Sequence, residues 1–121
     1  MARNMSFSKT TDQMRARTKT VTRRIGWADL RVGNVLNACV KCQGLRKGER
    51  VEVICQIRVV SVRREAIWEI ARWDDRETAR EGFPGMSPSE FLGMFCREMK
   101  CHENDHVQRI EFEYIEGDDD D

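Results

Sequence analysis

The chain has 121 residues, enough for one modest hydrophobic core and too few for two. With 40% hydrophobic and 35% charged residues it fits neither a wholly disordered nor a membrane-embedded protein. The formal net charge of zero hides a polarity: residues 1–31 carry +6, residues 101–121 carry −8, and without Asp118–Asp121 the remainder stands at +4.

One domain over residues 1–116 is therefore expected, followed by an acidic disordered tail at 117–121. No apolar run reaches the roughly 18 residues of a membrane span, and the first residues lack the apolar stretch of a secretory signal. Five cysteines, odd in number and unevenly spaced, fit reduced thiols. The expectation is a soluble, cytoplasmic protein, monomeric, with no membrane partner.

Ser8–Arg17 (SKTTDQMRAR) reads as a short polar helix with Thr10 or Thr11 as N-cap. Thr18–Arg24, rich in β-branched residues, should be extended and end at Ile25-Gly26-Trp27. A turn at Arg31–Asn34 leads into a strand over Val35–Val40, and Gly44–Glu49 forms another turn. Val51–Val62 is a strand in which Val51, Val53, Cys55, Ile57 and Val59 alternate with Glu52, Gln56 and Arg58. Ile54, Val60 and Val62 interrupt the polar face, so that face should be partly covered.

Glu65–Trp73 suits either a short strand or a helical turn, and Asp74–Arg80 should be helical. Ser87-Pro88-Ser89-Glu90 opens a helix over Pro88–Lys100: serine caps, proline takes the first position, glutamate reaches back, and Phe91, Leu92, Met94, Phe95 and Met99 make an apolar stripe. Val107–Ile115 closes the chain as a strand. These elements predict an α+β fold, a small mixed β-barrel with short flanking helices, with an open α+β sheet as the alternative.

Chemistry concentrates in Lys19-Thr20-Val21-Thr22-Arg23-Arg24 with Gly26-Trp27. A lysine, hydroxyls and guanidiniums on one extended piece can hold phosphates or activate a hydroxyl; a solvated edge strand has the same composition. Side chains of a strand alternate between faces, so Lys19 and Thr22 meet only if Lys19 precedes the pleat. Arginine supplies 16 of the 21 basic residues, which favours bidentate phosphate contacts. Arg15, Arg17, Arg23, Arg24, Arg63 and Arg64 are the candidates, with salt-sensitive binding as their signature. Trp27 would stack on a base or cover one end of the barrel.

The segments KTVTRRIGW (19–27), LRVGNVL (30–36), VEVICQIRVVSVRRE (51–65), EGFPGMSPSEFLGMF (81–95) and VQRIEFEYI (107–115) resemble the ASCH domain of the PUA-like superfamily. TRR followed by GW is similar to the stand-alone ASCH proteins of bacteria and their phages. The resemblance implies a small β-barrel with a cleft for RNA or modified nucleosides. It also implies, by likeness to ASCH amidohydrolases acting on N(4)-acetylcytidine, Thr22 as nucleophile, Lys19 as base and Glu81 as proton shuttle, with Arg24 on the developing oxyanion. Arg23, Gly26-Trp27 and the longer 63–83 connection depart from those amidohydrolases.

No cofactor or metal is expected: Cys39-x2-Cys42 and Cys101-His102-x3-His106 do not have recognised zinc spacing, and there is no phosphate-binding glycine motif. The leading expectation is a binder of RNA or a modified nucleotide, with DNA left open, using a basic cleft. The alternatives are a metal-independent amidohydrolase and, more weakly, a ribonuclease. The acidic tail would compete with phosphates for that cleft.

Overall fold

At the start of the chain Met5 and Phe7 alternate with Asn4 and Ser6 and are buried, and in the computed structural model, which describes residues 2–42 and 45–116, this segment forms a strand that the sequence reading did not assign. It is β1 (Arg3–Ser6). The following elements are α1 (Thr11–Arg15), β2 (Val21–Arg24), β3 (Val35–Cys39), β4 (Val53–Ala66), a 3-10 turn over Ile67–Arg72, α2 (Asp75–Arg80), α3 (Pro88–Met99) and β5 (His106–Tyr114). The acidic tail and the start of the turn at Gly44 lie outside the described residues.

The strands form one sheet in the order β1-β3-β4-β5-β2, parallel between β1 and β3 and antiparallel elsewhere. The sheet curls into a half-barrel. No ladder joins β1 to β2 among the described residues, so the expected barrel is an open one. The expected α+β class with short flanking helices stands.

β4 explains the broken alternation. Between Val59 and Ser61 its register against β5 shifts by one residue, which leaves Val60 as a bulge with 43% of its surface exposed. Before the bulge Ile57 and Val59 point into a core with Met5, Phe7, Met14, Leu30, Leu36, Ala38, Ile110 and Phe112. After it, Val62 opposite Ile110 packs on that same core, while Glu65 opposite Val107 turns to the other face. There a second core gathers Ile67, Ile70, Phe91, Phe95 and Val107.

α3 begins where the cap predicts: the Ser87 hydroxyl accepts from the Glu90 amide at 3.2 Å and the Ser87 amide donates to Glu90 Oε1 at 2.8 Å. Phe91 and Phe95, four residues apart, are its buried pair. α2 is capped by the Asp74 carboxylate, which accepts from the Arg76 amide at 3.0 Å. Among the described residues no helix is long and apolar enough to cross a membrane.

Candidate ligand cavity and buried ion network

Lys19 precedes the first residue of β2, and three hydrogen bonds set its place. The Tyr114 hydroxyl donates to the Lys19 carbonyl at 2.6 Å, the Thr20 amide donates to the Arg80 carbonyl at 2.8 Å, and the Phe112 amide donates to the Thr20 carbonyl at 3.0 Å. The pleat begins only at Val21, so strand alternation does not separate Lys19 from Thr22, and the two line one cavity. Glu81 joins them from the end of α2, where Gly82 turns the chain with a φ of 102° and Gln13 Nε2 donates to the Gly82 carbonyl at 3.0 Å.

The cavity holds about 230 Å³. Lys19, Thr22, Arg23, Arg24 and Glu81 give it a charged side, Phe7, Phe83, Phe91, Met94 and Phe95 an apolar wall, and polar residues after β1 such as Ser8 and Thr10 complete the lining. At the rim Lys9 Nζ meets Glu98 Oε1 at 2.6 Å, both side chains largely in solvent.

Behind the polar side lies a network of buried charges. Lys19 Nζ donates to Glu81 Oε1 at 3.0 Å and to the Glu81 carbonyl. Arg23, fully enclosed, donates from Nη1 to Glu81 Oε2 at 2.9 Å, from Nη2 to Glu77 Oε2 at 2.7 Å and from Nε to Glu65 Oε2 at 3.0 Å. Arg109, opposite Arg23 in the β2–β5 ladder, donates to both oxygens of Glu77 at 2.7 and 3.1 Å. Such geometry offsets the desolvation of each ion with a charge-assisted partner.

These contacts set the acidities. Burial pushes the Lys19 ammonium below its ordinary value; Glu81 opposes that shift, and Arg24 and Arg23 add to it. Burial likewise pushes Arg24 down to about 10, again against the attraction of Glu81. The Thr22 hydroxyl accepts from Arg24 Nε at 3.0 Å, and no hydrogen bond joins it to Lys19.

The arginines proposed for phosphate contact do not converge. Arg23 is turned inward: its side chain has no exposed surface and three carboxylates enclose it. Of that set Arg23 and Arg24 line the cavity, and of the two only Arg24 has no carboxylate partner among the described residues. Arg15 and Arg17 lie at a separate depression beside Glu52, where Arg15 pairs with Glu52 at 2.8 Å; Arg17 pairs with Glu116 at 3.1 Å. Arg63 and Arg64 are exposed on opposite faces of β4, Arg63 with its Nε 3.5 Å from Glu65 Oε1.

Trp27 does not line the cavity either. It packs against the first core in a left-handed conformation (φ 60°), with the Arg3 guanidinium 4.3 Å from its ring centroid. That is the covering position, with one ring face already occupied. Glu65, Glu77 and Arg109, which build the network, escaped the sequence reading. The available signal was that Arg23 and Arg109 stand two residues from the apolar Val21 and Val107, on the same inward face.

No family model and no curated protein sequence matches the chain. A search of solved structures finds the crystal structure of an ASCH domain from Lactobacillus crispatus JV V101, with a TM-score of 0.52 and 17% identity over 92% of this chain and 77% of that one. The chain has the fold of an ASCH domain. In this ASCH fold the cavity lies between β2 on the half-barrel's edge, the segment after β1 and the face of α3, so every one of its walls comes from a different stretch of sequence.

Proposed function

We propose that this chain binds RNA or a modified nucleotide by taking a single base into the cavity behind Thr22. The observation that carries the reading is the division of the cavity into an aromatic wall (Phe7, Phe83, Phe91, Phe95) and a polar side (Lys19, Thr22, Arg24, Glu81). Flat apolar walls favour a heteroaromatic ring, and fixed donors and acceptors read its edge. A volume near 230 Å³ lies below the roughly 300–1,000 Å³ of sites for drug-sized ligands. It admits one base, not a folded strand. The exposed Arg15, Arg17, Arg63 and Arg64 would add phosphate contacts that weaken with salt.

The test is a binding screen of the purified protein against modified nucleosides and a mixed-sequence single-stranded RNA at two salt concentrations. Saturable binding that Thr22→Val weakens about 10-fold or more supports the reading. Absence of binding, or binding indifferent to Thr22→Val and to Phe91→Ala, overturns it.

A second reading, hydrolysis of an acylated base, is favoured by the depressed ammonium of Lys19 in the cavity that Thr22 lines. Thr22 Oγ would attack the amide carbonyl while its proton passes to Lys19. The C–N bond would break as the amine leaves with a proton relayed through Lys19 or Glu81, and water would hydrolyse the threonyl ester. Release of acetate from N(4)-acetylcytidine by the wild type, lost in Lys19→Ala with nucleoside binding retained, supports it; no release overturns it.

A further inference from the structure

We infer that the ligand of this cavity carries a negatively charged oxygen group, a carboxylate or a phosphate, and that Arg24 holds it. The inference rests on the cavity being the ligand site and adds the charge of what enters it.

The argument is one of charge balance. Lys19 has Glu81; Arg23 has Glu65, Glu77 and Glu81; Arg109 has Glu77; at the rim Lys9 has Glu98. Arg24 is the exception. Among the described residues no carboxylate lies within ion-pair distance of it. Both oxygens of Glu81, the nearest carboxylate acting on it, are engaged by Lys19 and Arg23. The Cys42 thiol, the other ionisable group nearby, offers no carboxylate oxygen. The buried cations Lys19, Arg23 and Arg109 match the buried carboxylates Glu65, Glu77 and Glu81 one for one, and the half-buried Arg24 leaves one positive charge on the cavity wall.

Its posture is suited to an anion. The guanidinium lies 4.7 Å from the centroid of the Phe7 ring, and its Nε is committed to the Thr22 hydroxyl. Nη1 and Nη2 have no acceptor among the described residues, and a guanidinium edge with two unused N–H groups matches a carboxylate or phosphate in a bidentate pair. A partly desolvated cation without an ion-pair partner gains more from an anionic ligand than from a neutral one.

The experiment measures by calorimetry the affinity of the four ribonucleosides, their 5′-monophosphates and 5-carboxyuridine, for the wild type, Arg24→Lys and Arg24→Met, at low and high salt. An anionic member should bind about 10- to 100-fold tighter than its neutral parent. The preference should shrink in Arg24→Lys, which keeps the charge and loses the fork, nearly vanish in Arg24→Met, and erode with salt. Whether the monophosphates or the ring carboxylate show it tells backbone phosphate from a modified base. Equal binding of neutral and anionic members overturns the charge assignment and leaves the cavity reading standing; binding of none overturns both. A preference undiminished in folded Arg24→Lys or Arg24→Met overturns the role of Arg24.

Discussion

Arg23 Nη2 and Glu77 Oε2 meet at 2.7 Å with neither side chain exposed to solvent, joining β2 to α2 across 54 positions of sequence. An ion pair so enclosed contributes less by its own attraction than by the cost of breaking it, because each partner left alone is a buried charge. Glu77→Ala should therefore destabilise the protein by about 3–5 kcal/mol, read from urea denaturation. A loss under about 1 kcal/mol, the worth of an exposed pair, would contradict the enclosed network.

Acid should act through the same group. Burial alone would raise the Glu77 carboxyl, but hydrogen bonds and charge from Arg109 and Arg23 outweigh it and hold the group below its ordinary 4.5. The unfolded chain then binds a proton here at higher pH than the folded one. The contribution to stability is complete above about pH 4.5 and is lost as the pH falls through the lowered native value. Stability measured from pH 7 to 2 should show this acid limb, and Glu77→Gln should flatten it; an unchanged limb would show that other carboxyls dominate.

Glu81 raises the affinity of Lys19 for its proton against the effect of burial. Glu81→Gln should lower the Lys19 titration further, visible in the NMR signal of its Nζ followed with pH. A titration that stays put or rises would mean that Glu81 does not face the ammonium in solution.

Gly82 holds Glu81 in place, with a φ of 102° and only 3.2 Å between an added Cβ and Gln13 Cγ. Gly82→Ala should cost about 1–3 kcal/mol and weaken ligand binding, since the turn that aims Glu81 must give way. Thermal melts together with nucleoside titrations check both halves; an unchanged affinity would show that the turn does not set the cavity.

Deleting Val60 removes the bulge of β4. Val59 opposite Phe112 and Ser61 opposite Glu111 then become consecutive ladder positions, while Val62 opposite Ile110 and Glu65 opposite Val107 keep their faces. Cooperative unfolding should therefore survive the deletion, and Val60→Thr, at a 43% exposed position, should stay within about 0.5 kcal/mol of wild type. A deletion variant that loses cooperative unfolding would contradict the register.

The parts of this molecule that were legible in the sequence are those governed by neighbours in the chain. The Ser87–Glu90 cap, the stripe of α3 and the alternation of β5 are local patterns, and the helix and strand lie within a residue or two of expectation. β1 was missed because Arg3, Asn4 and Ser6 surround a single buried Met5, so the period of two had only one apolar residue within the strand to show. The convergence of Lys19, Thr22 and Glu81 on one cavity depended on where the pleat of β2 begins, which follows from contacts with Tyr114 and Arg80, 95 and 60 or so residues away. The network was illegible for a related reason: Glu65, Glu77 and Arg109 look like ordinary solvated charges until α2 is laid across the sheet.

That network also governs how the gene is free to drift. A one-letter change at 23, 65, 77 or 109 leaves an orphaned ion in a dry interior, so in descendants of this chain these positions should change as a set or hold still, whereas Lys9 and Glu98, bathed in water, should wander independently. Covariation among the buried four, and its lack at the rim pair, is the mark this interior would leave on a lineage.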